Sequence, residues 1–94
     1  MGIMNNARDS SGKSIRTEYK GLSIEVFNRT NSCQLYINGK LEDSYEGVFL
    51  NDMIRLRGKG FKKKNVIVIL TPQMKVFAKY EIWYKATLLK SGII

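Results

Sequence analysis

The sequence predicts an all-β domain, a small, mainly antiparallel β-sandwich or open barrel of about seven strands. Three observations carry this prediction. Apolar and polar residues alternate over residues 22–27 and 33–37, the pair Asn38-Gly39 follows the second of these segments, and the C-terminal part is rich in aromatic and β-branched residues. A chain of 94 residues, 44 % of them hydrophobic, can build one modest core. We therefore expect a single domain.

The N-terminal residues 1–13 are polar and lack periodicity. They offer too little apolar surface to offset the entropy of ordering, so we expect a disordered tail before a domain at residues 14–94. The chain begins without the apolar segment of a secretory signal, and its longest apolar stretch, residues 66–70, is far shorter than the ~20 residues of a membrane span. These features predict a cytoplasmic protein with no membrane span.

Cys33 is the only cysteine, so no internal disulfide can form, which suits a reducing compartment. The residue lies in phase with Leu35 and Ile37 on an alternating strand. We therefore expect a buried, inert thiol.

The clearest local prediction is a hairpin with strands at about residues 33–37 and 40–45. Asn38-Gly39 tolerates positive φ at both central positions of a type I′ turn, whose twist matches that of the flanking strands. A turn at residues 30–32 before it gives a meander of at least three strands. The nine residues LYINGKLED resemble hairpins of several β-sandwich families, among them lectin-like jelly rolls and the Fas apoptosis inhibitory molecule. That resemblance implies the fold alone.

Two further strands are predicted at residues 53–57, which alternate, and at residues 66–70, whose continuous apolar run is typical of a strand covered on both faces. The segment between them, residues 58–65, reads as a hairpin loop whose glycines permit the turn. Pro72 cannot donate to a sheet ladder, so residues 71–73 are expected to end the second strand.

The segment 75–89 is predicted to be a strand because every second residue from Val76 to Leu88 is apolar. At ~3.3 Å per residue it would be ~50 Å long. We therefore expect a bend or bulge near Ala86, or a split into two strands.

Charge is distributed unevenly along the chain. Residues 1–52 carry six Lys or Arg and seven Asp or Glu, whereas residues 53–94 carry ten Lys or Arg and Glu81 alone on the acidic side. If the C-terminal strands are neighbours, their cations form one patch with Phe61, Phe77 and Trp83 interleaved among them. The predicted binding residues are Arg55, Arg57, Lys59, Lys62, Lys63, Lys64, Lys75, Lys79, Lys85, Phe77 and Trp83.

Such a patch predicts a binding domain for an anionic partner, either a nucleic acid or an acidic protein. Three alternatives stay open. The loop lysines can serve solubility alone, and Phe77 and Trp83 can pack against the other sheet or a neighbouring subunit. The domain can also be a protein interaction module that forms homodimers through its long last strand.

The sequence contains few of the residues that catalysis or metal binding usually requires. Histidine is absent and there is one cysteine, so metal sites with nitrogen and sulfur ligands are not expected. Carboxylates cluster at Glu42, Asp43, Glu46 and Asp52. Because adjacent strand residues point to opposite faces, we expect a solvated strand edge here rather than a weak cation site or a catalytic pair. The protein is therefore predicted to be non-enzymatic and without a cofactor or metal.

Overall fold

The computed structural model describes residues 13–29, 32–47, 53–73 and 77–93. They form eight strands in two antiparallel four-stranded sheets. Sheet A contains β1 (Lys13–Tyr19), β2 (Leu22–Asn28), β3 (Ser32–Ile37) and β4 (Lys40–Glu46), and sheet B contains β5 (Ile54–Gly60), β6 (Lys63–Gln73), β7 (Phe77–Tyr84) and β8 (Thr87–Ile93). In each sheet the strands lie side by side in chain order.

This architecture confirms the predicted all-β fold of two packed antiparallel sheets. The strands number eight rather than about seven, because the segment 75–89 contributes to two of them. The predicted tail, residues 1–13, lies outside the described residues except for Lys13, which begins β1. The predicted turn at residues 30–32 also lies outside them, save for Ser32.

The core lies between the sheets and is built from the inward-facing side of the central strands. The apolar residues at every second position of β2, β3 and β6 point inward because side chains alternate along a strand. The side chains with no exposed surface are Ile24, Val26, Leu35, Val66, Val68, Leu70 and Ile82.

The predicted Asn38-Gly39 turn is confirmed, with φ angles of 52° and 81°. Asn38 also ties this turn to β2: its backbone N–H donates to the Ser23 carbonyl over 2.8 Å, and its side-chain oxygen accepts from the Ser23 N–H over 2.9 Å. The turns β1–β2, β5–β6 and β7–β8 place Lys20, Phe61 and Lys85 in the same left-handed region. The rings of Tyr19 and Tyr84 lie 5.0 Å apart, which brings the turns of both sheets to one end of the sandwich, here called the turn end.

The prediction that residues 58–65 form a loop was wrong. Strand β5 runs to Gly60 and β6 begins at Lys63, so the turn consists of Phe61 and Lys62. The glycines serve packing instead. A Cβ on Gly58 would lie 2.5 Å from Ile37 Cδ1, and one on Gly60 would lie 3.0 Å from Val66 Cγ2. Both glycines therefore let β5 approach its neighbours closely.

Strand β6 departs from its prediction in two ways. It continues through Pro72 to Gln73, because beyond Leu70 its pairing within the described residues is with β7 alone, and proline is tolerated where a strand has one neighbour. Among the described strands, it is also covered on one face rather than two. Ile67 and Ile69 point away from the core and are half-buried.

The C-terminal segment takes the split form of its prediction, with a turn at Lys85-Ala86 between β7 and β8. A register shift between Ile82 and Trp83 pairs Ile82 with Lys90 and Trp83 with Leu88. The predicted alternation therefore fails at Leu88. This residue shares the outer face with Trp83 and is 44 % exposed.

Candidate partner-binding face

The edge strand β5 carries a row of cations on the outer face of sheet B. In β5 the inward positions Ile54 and Leu56 are buried, so the alternate positions Arg55, Arg57 and Lys59 point outward, and all three are exposed. Successive members of this row are two residues apart, which places them about 6.7 Å from one another along the strand.

Strand pairing extends this row across the sheet. Arg57 lies opposite Ile67, which lies opposite Trp83. Arg55 likewise lies opposite Ile69, the next outward residue along β6. The outward-facing residues that result are here called the basic face: Arg55, Arg57, Lys59, Ile67, Ile69, Lys79, Glu81, Trp83, Leu88 and Ile93.

Trp83 lies in the middle of the basic face and is half-buried. Its indole N–H donates to Glu81 Oε1 over 3.2 Å, which fixes the ring against the sheet. The alternative that Trp83 packs against sheet A is therefore wrong. Within the described ranges no further layer covers this face, so Trp83, Ile67 and Ile69 shield one another only partly.

The two outer faces of the sandwich differ in charge. The basic face carries Arg55, Arg57, Lys59 and Lys79 against Glu81. On the opposite layer, strands β1 and β2 direct Arg16 outward together with Glu18 and Glu25. Four of the ten cations of residues 53–94 thus lie on one outer face of the sandwich.

The remaining predicted residues lie elsewhere or are not described. Lys62 occupies the β5–β6 turn, and Lys63 and Lys64 begin β6. The backbone N–H of Lys85 donates to the Asn65 carbonyl over 2.9 Å, so these four lysines share the turn end. Lys75 and the side chain of Phe77 fall outside the described residues. The cations therefore divide between the basic face and the turn end, rather than forming one patch.

Two acidic residues of β4, Glu42 and Asp43, join the two sheets, contrary to the prediction of a solvated edge, whereas Glu46 is exposed as that prediction expects. Asp43 Oδ2 accepts from the Arg57 backbone N–H over 3.0 Å, and Glu42 Oε1 accepts from the Lys59 backbone N–H over 2.9 Å. Adjacent residues converge because Glu42 is the extra residue of a β-bulge: Leu35 pairs with Asp43 and Tyr36 with Leu41. These carboxylates thus accept hydrogen bonds from two backbone N–H groups on the free edge of β5. They fix the position of the strand that carries the row of cations.

Asp52 lies outside the described residues. In the part of the chain that the structure does describe, no three acidic, cysteine or histidine side chains come together as a potential metal site. Cys33 is 1 % exposed and donates its thiol to Asn28 Oδ1 over 3.2 Å. This position confirms the prediction of a buried thiol, and burial raises the pKa of Cys33 from 9.0 to about 11.

Sequence reasoning missed two lysines of sheet A, Lys20 and Lys40, which lie beside the hairpin glycines Gly21 and Gly39 at the turn end. They line a pocket together with Lys59 and Phe61 of sheet B. A signal was present, since each of these lysines adjoins a hairpin glycine. It becomes interpretable only when the ends of the two sheets are known to meet.

No family model, curated protein or solved structure matches this chain. Across the described ranges there is no helix of the length and apolar character that crossing a membrane requires.

Proposed function

We propose that this chain is a non-enzymatic binding domain whose basic face engages a single-stranded nucleic acid. The observation that carries the proposal is the juxtaposition of the cation row of β5 with the exposed part of Trp83, on a sheet face that no other described strand covers. Cations bind phosphates, and aromatic rings provide a surface on which unpaired bases stack, at roughly 1–3 kcal/mol for each base.

The spacing of the row favours a regularly charged polymer over a single anion. Three cations repeat along β5, and the carboxylates of Glu42 and Asp43 bind the backbone N–H groups rather than these side chains. The side chains of Arg57 and Lys59 therefore keep their charge available to a partner. Next to the row, the half-buried Ile67 and Trp83 supply apolar surface that a base can cover.

The experiment is fluorescence anisotropy of a labelled decathymidylate titrated with the protein and its variants. Arg57→Gln removes one cation, and Trp83→Leu keeps apolar volume but removes the stacking surface. The matched control is Arg16→Gln, which removes the same charge from the opposite sheet. We expect the first two variants to weaken binding about 5-fold or more and the control to have no effect.

An acidic protein is the other anionic partner, and polyglutamate tests it. Stacking contributes nothing to a polyglutamate complex, so Trp83→Leu would leave its affinity unchanged. If the protein binds polyglutamate more tightly than decathymidylate, the partner is an acidic protein and not a nucleic acid. Equal binding of decathymidylate by Arg57→Gln, Arg16→Gln and the unmodified protein would refute the basic face as a binding surface.

A second candidate function is self-association through β8. This edge strand carries Leu88 and Ile93, which are 44 % and 65 % exposed; Leu88 lies opposite Trp83 and Ile93 lies opposite Lys79 on the same face. Sedimentation analysis over a range of concentrations tests this candidate. It requires a dimer that Trp83→Ala disrupts and that charge reversal at residues 62–64 does not.

A further inference from the structure

A pocket of about 390 Å³ opens at the turn end, where the hairpin turns of sheet A meet those of sheet B. Its volume lies within the range of small-molecule sites. The residues that line it are Lys20, Gly21, Leu22, Ile37, Asn38, Lys40, Glu42, Lys59 and Phe61. Neither the basic face nor self-association through β8 accounts for this pocket.

The pocket combines apolar and charged surface. Leu22 and Ile37 are each 4 % exposed and belong to the hydrophobic core, so they form an apolar base. Phe61 is 51 % exposed and offers an aromatic surface at the rim. An apolar base with an aromatic side fits a flat ring.

The charged side chains of the pocket indicate the charge of the group attached to such a ring. Lys20, Lys40 and Lys59 contribute three ammonium groups against the one carboxylate of Glu42, a net charge of +2. Glu42 Oε1 already accepts the Lys59 backbone N–H, and the Lys20 ammonium lies 5.4 Å from the centroid of the neighbouring Tyr19 ring. A phosphate monoester carries a charge of about −1.5 to −2 at pH 7 and matches this excess, whereas a carboxylate or an internal phosphodiester carries about −1.

Backbone geometry adds an independent observation. Lys20 and Phe61 hold left-handed φ angles of 49° and 64°, which are costly for residues other than Gly, Asn and Asp. The neighbouring turn meets the same requirement with Asn38 at 52°. Three hairpin turns thus carry a residue other than Gly, Asn or Asp in the left-handed region, and two of these residues, Lys20 and Phe61, border the pocket, whereas Lys85 does not.

We propose that the turn-end pocket binds a nucleotide with a terminal phosphate, its base against Phe61 and its phosphate among Lys20, Lys40 and Lys59. A free mononucleotide and the phosphorylated end of a strand share this chemistry. Binding of a strand end rests on the proposed function of the basic face, to which Lys59 also belongs. Binding of a free mononucleotide does not.

The test is a titration of the isotopically labelled protein with AMP, followed by backbone amide chemical shifts. We expect the shifts to concentrate at Gly21, Asn38 and Phe61. Lys20→Asn preserves the turn because asparagine tolerates left-handed φ, and it should weaken AMP about 3- to 10-fold. Phe61→Ser should weaken AMP about 5-fold or more. The matched control is Lys85→Gln, a left-handed turn lysine at the same end that does not line the pocket, and it should bind like the unmodified protein.

Two further probes distinguish a free mononucleotide from the phosphorylated end of a strand. Hexathymidylate with a 5′-phosphate that binds more tightly than the unphosphorylated form, with the difference lost in Lys20→Asn, identifies a strand end. AMP binding without that difference identifies a free mononucleotide. Inorganic phosphate that binds as tightly as AMP would overturn the proposal, as would unchanged AMP affinity in both Lys20→Asn and Phe61→Ser. AMP binding by an unmodified protein that fails to bind decathymidylate would retain the pocket and reject the basic face.

Discussion

Gly58→Ala tests whether the glycines of β5 serve close packing. The added Cβ would lie 2.5 Å from Ile37 Cδ1, 3.0 Å from Leu35 Cδ2 and 3.2 Å from Glu42 Cβ. Gly58 does not have a left-handed φ, so the substitution itself is compatible with the backbone. Overpacking of this kind costs about 1–3 kcal/mol, and replacing glycine within a strand returns roughly 0.5–1 kcal/mol. The net expectation is a loss of about 1–2 kcal/mol.

The assay is urea unfolding followed by Trp83 fluorescence, with a double-mutant cycle as its control. Ile37→Val removes the methyl group that the new Cβ would meet and costs about 0.5–1.5 kcal/mol by itself. The double variant should be more stable than the sum of the single effects predicts, by about 1 kcal/mol, because the clash is relieved. Thermal unfolding should show Gly58→Ala melting several degrees lower, at about 4–8 °C for each kcal/mol.

The reasoning fails if Gly58→Ala is as stable as the unmodified protein, or if the two substitutions are additive. Either result would mean that the close approach of β5 to β3 does not depend on the missing side chain. The loop interpretation of this segment would then need to be reconsidered.

Three further predictions concern the turn end, the β4–β5 contact and the core. Lys20→Asn should raise the free energy of unfolding by about 0.5–1 kcal/mol in thermal denaturation, because it relieves the backbone strain of a lysine held at a left-handed φ. A lower melting temperature would contradict this account. Asp43→Ala should cost about 1 kcal/mol in urea, because the backbone N–H groups of Ser44 and Arg57 both lose an acceptor, and Asp43→Asn should cost less; equal costs would count against these hydrogen bonds. Burial raises the folded-state pKa of Cys33 from 9.0 to about 11, so between these values the unfolded chain loses the thiol proton first and stability falls as pH rises. Cys33→Ala should remove that part of the decline, on the order of 1–3 kcal/mol, and an unchanged pH profile would exclude it.

The sequence predicts the central strands well because their signals are local. Alternation places Ile24 and Leu35 inside, and Asn38-Gly39 identifies its turn by conformational preference alone. The other hairpin turns could not be recognised in the same way. Phe61 and Lys85 occupy left-handed positions that such residues rarely adopt, so propensity gave no sign of a two-residue turn.

The features that were misread depend on neighbours distant in sequence. Gly58 is a packing residue only because Ile37 of the other sheet lies against it. Glu42 turns toward β5 because a bulge opposite Leu35 breaks the alternation. Ile67 suggested coverage on both faces, whereas its outer face adjoins Trp83 in an uncovered surface. Pairing partners and register decide each case, and a single sequence does not specify them.

The most direct test of the basic face is the salt dependence of decathymidylate binding. If Arg55, Arg57 and Lys59 each neutralise one phosphate, the logarithm of the association constant should fall with the logarithm of salt concentration with a slope of about −2, because each contact with a single strand contributes about −0.7. Arg57→Gln should reduce this slope by about 0.7, and Arg16→Gln should leave it unchanged. A slope near zero, or the same slope in both variants, would contradict the account.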